Sequence, residues 1–380
     1  MTVQRGRHFL QIPGPTNVPD RVLRAMDAPT IDHRGPEFAT LTLSILEGLK
    51  SIFQTAGDVV IFPSSGTGAW EASLVNTLSP GDKVLMFETG HFAMLWQRMA
   101  KNLGLDAEVV PGDWRHGVDP AVVEEKLGAD RAHRIKAVLV VHNETSTGVT
   151  SRIAEIRQAM NRARHPALFM VDTISSLASM DYRQDEWGVD VTVAGSQKGL
   201  MLPPGLSFNA MSDKALAAAK TARLPRSYWG WDEMIEANRN GFFPYTPATN
   251  LLYGLRESLR MLMGEGLDNV FRRHARFGEA TRGTGLGPGT AVSRPEGIQQ
   301  LAHRGVVARG PRRSRTAARD PGAFQHVARQ RTWQGAGQGI PHRTSWAIST
   351  ISCCAAPCAA SKWVWSSPGC RTARAVSPRP

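Results

Sequence analysis

Short aliphatic runs alternate with amphipathic stretches of helical length over the first 282 residues, and no other feature constrains the fold as strongly. Seven runs have the length and composition of buried strands. They are 59–62, 83–87, 107–110, 135–141, 167–171, 189–194 and 206–210. Helical periodicity between them predicts helices, for example over 38–54 and 153–164. We therefore expect an α/β fold whose large domain holds a mostly parallel seven-stranded sheet.

The composition changes abruptly near residue 283. Residues 283–380 contain 13 Arg and 1 Lys against 2 acidic residues, so they carry the whole net charge of +12, and residues 1–282 are neutral. All four cysteines lie in the same region, and helical periodicity is lost there. We divide the chain into a large domain with its N-terminal segment (1–282) and an aberrant C-terminal region (283–380).

Two interpretations of residues 283–380 are open. Basic runs such as 310–315 are typical of arms that bind nucleic acid. However, a region rich in Arg, Ala, Pro, Gly and Ser, with tryptophans and a single lysine, is also what GC-rich DNA yields when it is translated out of frame. We favour a frame-shifted small domain over a natural basic arm.

The sequence gives no sign of a membrane or metal partner. No apolar run reaches the roughly 20 residues of a transmembrane helix, and the start of the chain lacks the apolar core of a signal peptide. The spacing of His33, His91 and His142 fits no metal motif. We expect a cytoplasmic protein without a metal site.

Three motifs supply groups that suit a phosphorylated ring cofactor. Residues 64–68 (Ser-Ser-Gly-Thr-Gly) follow a predicted strand and precede a helix predicted over 69–78, where backbone N–H groups can bind an anion. Asp172 ends a buried strand at the edge where ligands bind in parallel sheets, although a helix N-cap would suit it equally. Lys198 follows another strand among small residues, where partial desolvation lowers the pKa of an amine and makes it nucleophilic.

The order of these motifs matches the needs of one cofactor. An anion-binding loop, an acid, and a lysine 26 residues beyond the acid are what pyridoxal phosphate requires for its phosphate, ring nitrogen and aldehyde. Further motifs agree with one family; they lie at 13–19, 65–68, 143–148, 171–173, 195–198, 203–205 and 252–259. Over residues 8–282 the chain resembles the class V, fold type I pyridoxal-phosphate aminotransferases, within the serine–glyoxylate and alanine–glyoxylate group.

The resemblance implies roles for the central residues. Lys198 would bind the cofactor aldehyde covalently and shuttle a proton, and Asp172 would pair with the pyridinium nitrogen. The phosphate would be held by four residues: Gly66, Thr67, Gly68 and Gln197.

Three further residues have roles implied by the same resemblance. Phe92 would stack on the cofactor ring, although core packing is its simpler interpretation, and Thr145 would contact the ring hydroxyl. Thr246 would reach the phosphate of the other subunit in a homodimer. Trp229 and Trp231 are candidates for the substrate entrance, with ordinary packing an equal alternative.

The implied reaction moves the amino group of L-serine to glyoxylate and gives hydroxypyruvate and glycine. Alanine–glyoxylate and serine–pyruvate transamination are alternatives, whereas a cysteine desulfurase would need a nucleophilic cysteine that residues 1–282 lack. A nucleic-acid-binding protein that uses the basic region is the alternative of another class. The family binds the substrate carboxylate with an arginine in an Arg-Ile-Gly motif, which is absent here, and the neighbours of Arg343 do not match it.

Overall fold

The structure is a computed structural model that describes residues 10, 12–284, 290–291 and 307–308. The helices are α1 (Asp20–Met26), α2 (Pro36–Phe53), α3 (Gly66–Thr77), α4 (His91–Asn102), α5 (Pro120–Ala129), α6 (Ile153–Arg162), α7 (Asp213–Ala219), α8 (Trp231–Arg239), α9 (Thr249–Glu265) and α10 (Leu267–Thr284). The strands are β1 (Asp58–Phe62), β2 (Lys83–Phe87), β3 (Asp106–Val110), β4 (Ile135–Val141), β5 (Leu168–Asp172), β6 (Val191–Gly195), β7 (Ser207–Met211), β8 (Thr290–Ala291) and β9 (Val307–Ala308).

Strands β1 to β7 form one sheet in the order β1-β7-β6-β5-β4-β2-β3. Strands β2 to β6 pair in parallel, and β7 runs antiparallel to both of its neighbours, β6 and β1. The expected mostly parallel sheet of seven strands is therefore confirmed. Two of the predicted strands, 83–87 and 135–141, have the bounds of β2 and β4, and the other five differ by one or two residues at one or both ends.

Both faces of the sheet are buried, as expected when helices cover a parallel sheet on each side. In β5, Phe169 and Val171 belong to the core that is shared with α2, α5, α6 and α9. Leu168 and Met170 belong to a second core, which is shared with α3, α4, α7 and α8. Successive side chains of a strand point to opposite faces of the sheet, so each strand supplies apolar surface to both helical layers.

The connectivity brings the ends of several strands to one edge. Strand β1 points the same way as β4, β5 and β6, because β7 is antiparallel to both β1 and β6. The residues that follow these four strands therefore meet at the carboxyl edge of the sheet. Ligands bind at this edge in open α/β sheets.

One boundary differs from the sequence-based prediction in a way that matters for the site. Helix α3 begins at Gly66 and not at residue 69, so Gly66, Thr67 and Gly68 form its first turn. Glycine lowers helix propensity, and the prediction therefore assigned these residues to a loop. Packing of the helix against the sheet outweighs that local preference.

Several predictions concern residues outside the part of the chain that the structure describes. These are the frame-shifted small domain, the basic arm and Arg343. Within the described part, no helix is both long enough and apolar enough to cross a membrane.

Helix α5 offers a test of the packing. Leu127 is 1% exposed and belongs to the core between α5, α6 and the sheet, whereas Glu125 on the same helix is exposed. We expect Leu127→Ala to lower the free energy of unfolding by about 2–5 kcal/mol, because it leaves a cavity that the neighbours fill only in part. Glu125→Ala should change it by less than about 0.5 kcal/mol. Urea denaturation of both variants measures the difference, and equal midpoints would contradict this packing.

Candidate active site

A cavity of about 240 Å³ lies at the carboxyl edge of the sheet. The residues that follow β1, β4, β5 and β6 form its wall together with the first turns of α3 and α4 and part of the N-terminal segment. Its lining consists of Gly14, Pro15, Ser65, Gly66, Thr67, Trp70, Phe92, Val141, Asn143, Thr145, Asp172, Ile174, Ser175, Gln197, Lys198 and Pro204. The sheet topology has therefore placed an acid, an amine and a helix N-terminus around one small volume.

Asp172 is the last residue of β5, and its side chain is buried. Its Oδ1 accepts a hydrogen bond from the backbone N–H of Ile174 (2.7 Å), and its Oδ2 accepts one from Nε1 of Trp70 (2.9 Å). Burial raises the pKa of Asp172 to about 7, and the two hydrogen bonds oppose that rise. The carboxylate thus sits in the wall of the cavity and is not the N-cap of a helix, which was the alternative interpretation.

Lys198 is half-buried on the same cavity, three residues after the end of β6. Burial lowers the pKa of its amine, while the negative charge of Asp172 acts in the opposite direction. The lowered pKa increases the fraction of neutral amine, which is the form that attacks a carbonyl carbon. The structure therefore gives Lys198 the surroundings that its sequence context predicted.

The N-terminal segment covers this lysine. Nζ of Lys198 donates a hydrogen bond to the carbonyl oxygen of Pro13 (2.9 Å). At Gly14, φ is +152°, and an added Cβ would lie 2.2 Å from Nζ of Lys198. Only glycine allows the backbone to approach the amine this closely.

The N-terminus of α3 forms another part of the wall. Gly66 and Thr67 line the cavity, and the hydroxyl of Ser65 makes no capping hydrogen bond to the first turn. A Cβ on Gly66 would come within 2.3 Å of the Ile174 side chain, so a glycine is needed for the helix to reach the β5 loop. The positive end of the helix dipole suits an anion here.

Gln197 adds a polar group beside this helix terminus. It lines the cavity, and its Oε1 is buried without a hydrogen-bond partner among the described residues. Buried polar atoms usually have a partner. A ligand that fills the cavity would supply one.

Phe92 and Thr145 reach the cavity from α4 and from the loop after β4. Glu144, which is fully buried, fixes both segments: its carboxylate accepts hydrogen bonds from the backbone N–H groups of Phe92 and Ala93. It also accepts one from the Ser146 hydroxyl (2.7 Å). This carboxylate therefore caps the start of α4 and ties it to the β4 loop.

Two of the predicted site residues lie elsewhere. Gly68 faces away from the cavity, since a Cβ on it would meet Ser64 and the ring of Trp229. Thr246 is exposed and is not part of the cavity wall within this chain. The phosphate role of Gly68 was implied by the family resemblance and stays a prediction.

The two tryptophans that were considered for a substrate entrance pack within the protein. The ring of Trp229 contacts Phe62 edge-on at 5.2 Å. Trp231 is fully buried, and its Nε1 donates to Oδ1 of Asn209 (3.3 Å). Neither residue lines the cavity.

The sequence-based prediction missed several members of the cavity wall, chiefly Gly14, Trp70, Asn143 and Ile174. Trp70 left only a weak signal: a buried tryptophan usually finds an acceptor for its N–H, but the sequence does not say that Asp172, 102 residues further on, supplies it. Gly14 lies in the 13–19 motif that carries the resemblance, but nothing in that motif predicts its contact with Lys198, which exists only after folding.

Comparison with known proteins identifies the family. Residues 8–284 match the family model of class V aminotransferases. The chain belongs to the class V aminotransferases. The match ends within two residues of the compositional boundary near residue 283.

Individual relatives are similar over about three quarters of the chain. It is 52% identical to the serine–glyoxylate aminotransferase of Methylorubrum extorquens over 287 residues, which are 74% of this chain and 71% of the relative. It is 49% identical to the L-aspartate–glyoxylate aminotransferase of Paracoccus denitrificans, covering 71% of this chain and 69% of that protein. Among solved structures, the alanine–glyoxylate aminotransferase of Nostoc sp. has a TM-score of 0.73 at 29% identity and covers 80% of both chains.

Membership of this family implies pyridoxal phosphate as the cofactor. The cavity of this class V aminotransferase fits such a group in three respects. Lys198 and Asp172 line it together, the start of α3 offers N–H groups to a phosphate, and Gln197 has a buried oxygen without a partner. An amine, an acid and an anion site are the groups that this cofactor needs.

The electrostatics of the site can be tested on the amine alone. We expect the pH dependence of Lys198 acetylation by acetic anhydride to have a midpoint below 10.5, the ordinary lysine pKa, because burial disfavours the ammonium form. Asp172→Asn should move the midpoint lower still, since it removes the charge that stabilises the ammonium. Peptide mass spectrometry of the cofactor-free protein measures both values.

The matched control for this measurement is Asp106→Asn. Asp106 is an exposed acid at the start of β3, away from the cavity wall. Its substitution should leave the midpoint of Lys198 unchanged. A higher midpoint in Asp172→Asn than in the unchanged protein would show that the charge of Asp172 does not act on the amine.

Proposed function

We propose that this protein is a pyridoxal-phosphate-dependent aminotransferase that moves the amino group of L-serine to glyoxylate, giving hydroxypyruvate and glycine. One observation carries the proposal. Lys198, Asp172 and the N-terminus of α3 line one cavity in a chain that is 47–53% identical to three serine–glyoxylate aminotransferases. The geometry supports the chemistry, and the similarity supports the substrates.

The roles of the residues follow from their positions. Lys198 would hold the cofactor through its aldehyde and, once released, would carry the proton that leaves the substrate Cα. Asp172 would keep the ring nitrogen protonated, because a buried carboxylate stabilises a positive charge beside it. Gly66, Thr67 and Gln197 would bind the phosphate. When bound, the cofactor supplies an electron-accepting ring that stabilises the negative charge left on the substrate carbon.

The aromatic and hydroxyl groups of the wall have supporting roles. Phe92 would stack on the ring from α4, and Thr145 would donate to the ring hydroxyl. The buried carboxylate of Glu144 accepts hydrogen bonds from the backbone N–H of Phe92 and from the hydroxyl of Ser146, the neighbour of Thr145, and thereby fixes the start of α4 and the β4 loop. The ring would thus lie in a position set by the backbone.

Thr246 supports a homodimer. It is exposed and outside the cavity of its own chain, whereas in the resembling family a residue of this segment reaches the cofactor phosphate of the other subunit. We infer that two copies complete each other's site.

Glyoxylate is the better supported of the two substrates. The relatives that are named for serine and for L-aspartate both have glyoxylate in their names and are similarly close in identity. Segments 230–234 and 243–250 resemble the serine–glyoxylate group more than the alanine–glyoxylate group and are the reason for choosing serine, but they contribute no residue to the cavity wall of this chain. Serine is the proposed donor, with L-aspartate and alanine as the competitors, and no arginine lines the cavity wall that the described residues form.

The reaction requires Lys198. We expect the purified protein with pyridoxal phosphate to convert serine and glyoxylate to hydroxypyruvate, with parallel double-reciprocal plots because the two substrates react alternately. Lys198→Ala should abolish the visible absorbance of the lysine-linked cofactor and lower kcat by at least about 10²- to 10⁴-fold, since it removes both the covalent link and the proton carrier. Spectroscopy and a hydroxypyruvate assay measure the two effects.

The control is Lys101→Ala, which removes an exposed lysine of α4 and should leave both readouts unchanged. Faster turnover with aspartate or alanine than with serine would overturn the proposed donor. Cofactor absorbance without turnover by any donor would identify a protein that binds the cofactor but does not transaminate. Tight, salt-sensitive DNA binding in place of cofactor binding would favour the nucleic-acid alternative.

A further inference from the structure

Trp70 reaches Asp172 from helix α3. Its Nε1 donates a hydrogen bond to Oδ2 of Asp172 over 2.9 Å, and the residue is 2% exposed. An indole nitrogen can donate a hydrogen bond but cannot accept one, so its hydrogen atom points at the Asp172 carboxylate. Trp70 therefore contacts the acid of the cavity directly, and none of the residue roles in the proposed reaction belongs to it.

The indole ring is held in place by a second tryptophan. Trp70 stacks on Trp96 of α4, with ring centroids 5.9 Å apart and an angle of 14° between the planes. Trp96 is fully buried, and its Nε1 has no hydrogen-bond partner among the described residues. Trp70 and Trp96 form one stacked pair, but only Trp70 donates a hydrogen bond to the carboxylate of Asp172.

The carboxylate of Asp172 depends on a small number of neighbours. Burial and the charge of Glu144 raise its pKa, while the N–H groups of Ile174 and Trp70 and the charge of Lys198 lower it. His142, whose backbone N–H donates to the Asp172 carbonyl, adds no charge at neutral pH because burial lowers its pKa to about 4. The Ile174 donor belongs to the backbone, so among these neighbours only Trp70 is an uncharged side-chain donor.

The position of Trp70 on α3 connects the two ends of the cavity. It lies three residues after Thr67 and four after Gly66, and residues at these spacings share one face of a helix. The first turn of α3 faces the proposed phosphate site, and the next turn carries the indole that bonds to the acid. One rigid element therefore fixes both groups relative to each other.

We propose that Trp70 is a positioning residue that orients Asp172 and stabilises its ionised form through the indole N–H, and thereby sets the affinity for a protonated pyridine ring. The inference rests on the proposed function, since it assigns Asp172 to the ring nitrogen of the cofactor. Loss of the N–H leaves a buried carboxylate with one donor fewer, which favours its neutral form. A neutral carboxyl group no longer holds the ring nitrogen protonated.

The test compares Trp70→Phe with Trp96→Phe in the full chain. Each substitution removes one indole N–H and keeps an aromatic ring in the stacked pair, but only Trp70→Phe removes a donor from Asp172. Binding of two ligands is measured by equilibrium titration: pyridoxal phosphate, and its analogue with a carbon in place of the ring nitrogen. The analogue keeps the phosphate and the aldehyde and lacks the atom that Asp172 is proposed to contact.

We expect Trp70→Phe to weaken binding of pyridoxal phosphate by roughly 10- to 100-fold, the effect of one hydrogen bond to a charged group. Binding of the analogue should be unchanged. The pH below which pyridoxal phosphate affinity falls should also move upward, because the ionised form of Asp172 loses a donor. Trp96→Phe should affect neither ligand, and in an Asp172→Asn background Trp70→Phe should have no further effect on pyridoxal phosphate.

Equal losses for both ligands in Trp70→Phe would overturn the inference, because they would mean that the tryptophan only supports the shape of the cavity. Unchanged affinity for pyridoxal phosphate, or the same loss in Trp96→Phe, would overturn it as well. Failure of the proposed function gives a different result: the unchanged protein would then bind neither ligand through Lys198, and Lys198→Ala would have no effect on either titration.

Discussion

The site depends on one buried carboxylate. Transfer of an isolated charge from water into a protein interior costs several kcal/mol, so Asp172 is stable there only with its donors in place. One donor is the backbone of Ile174, two residues along the chain, and the other is Trp70 from a different helix. The acid therefore ties the end of β5 to helix α3, and the position of the cavity follows from that connection.

Asp172 and Lys198 affect each other through the same cavity. The acid opposes the effect of burial on the amine, and the amine opposes the effect of burial on the acid. Nζ of Lys198 donates a hydrogen bond to the carbonyl of Pro13. An amine that is held by a single neutral acceptor, in surroundings that disfavour its charge, is ready to react with an aldehyde.

The family resemblance and the compositional boundary bear on different parts of the molecule. The groups proposed to hold the cofactor lie between residues 14 and 198, well inside the matched part of the chain. The missing Arg-Ile-Gly motif belongs to the region after residue 283, where the composition changes. The groups proposed to hold the cofactor thus lie outside the region of altered composition, and the frame-shifted small domain stays a prediction.

Local sequence patterns were enough to predict the sheet and to single out Lys198 and Asp172. Aliphatic runs in buried strands and helices of regular period are local patterns, so the seven strands were predicted to within one or two residues. Lys198 and Asp172 were found because each follows such a strand, and parallel strands must share a carboxyl edge. These inferences need no knowledge of which side chains touch.

The rest of the cavity wall depends on long-range packing. It placed Trp70 on Asp172 and Gly14 on Lys198, and it turned Gly68 away towards Trp229. These contacts join residues that are 102, 184 and 161 positions apart in the chain. No local pattern encodes such pairs, because they depend on how whole helices pack against the sheet.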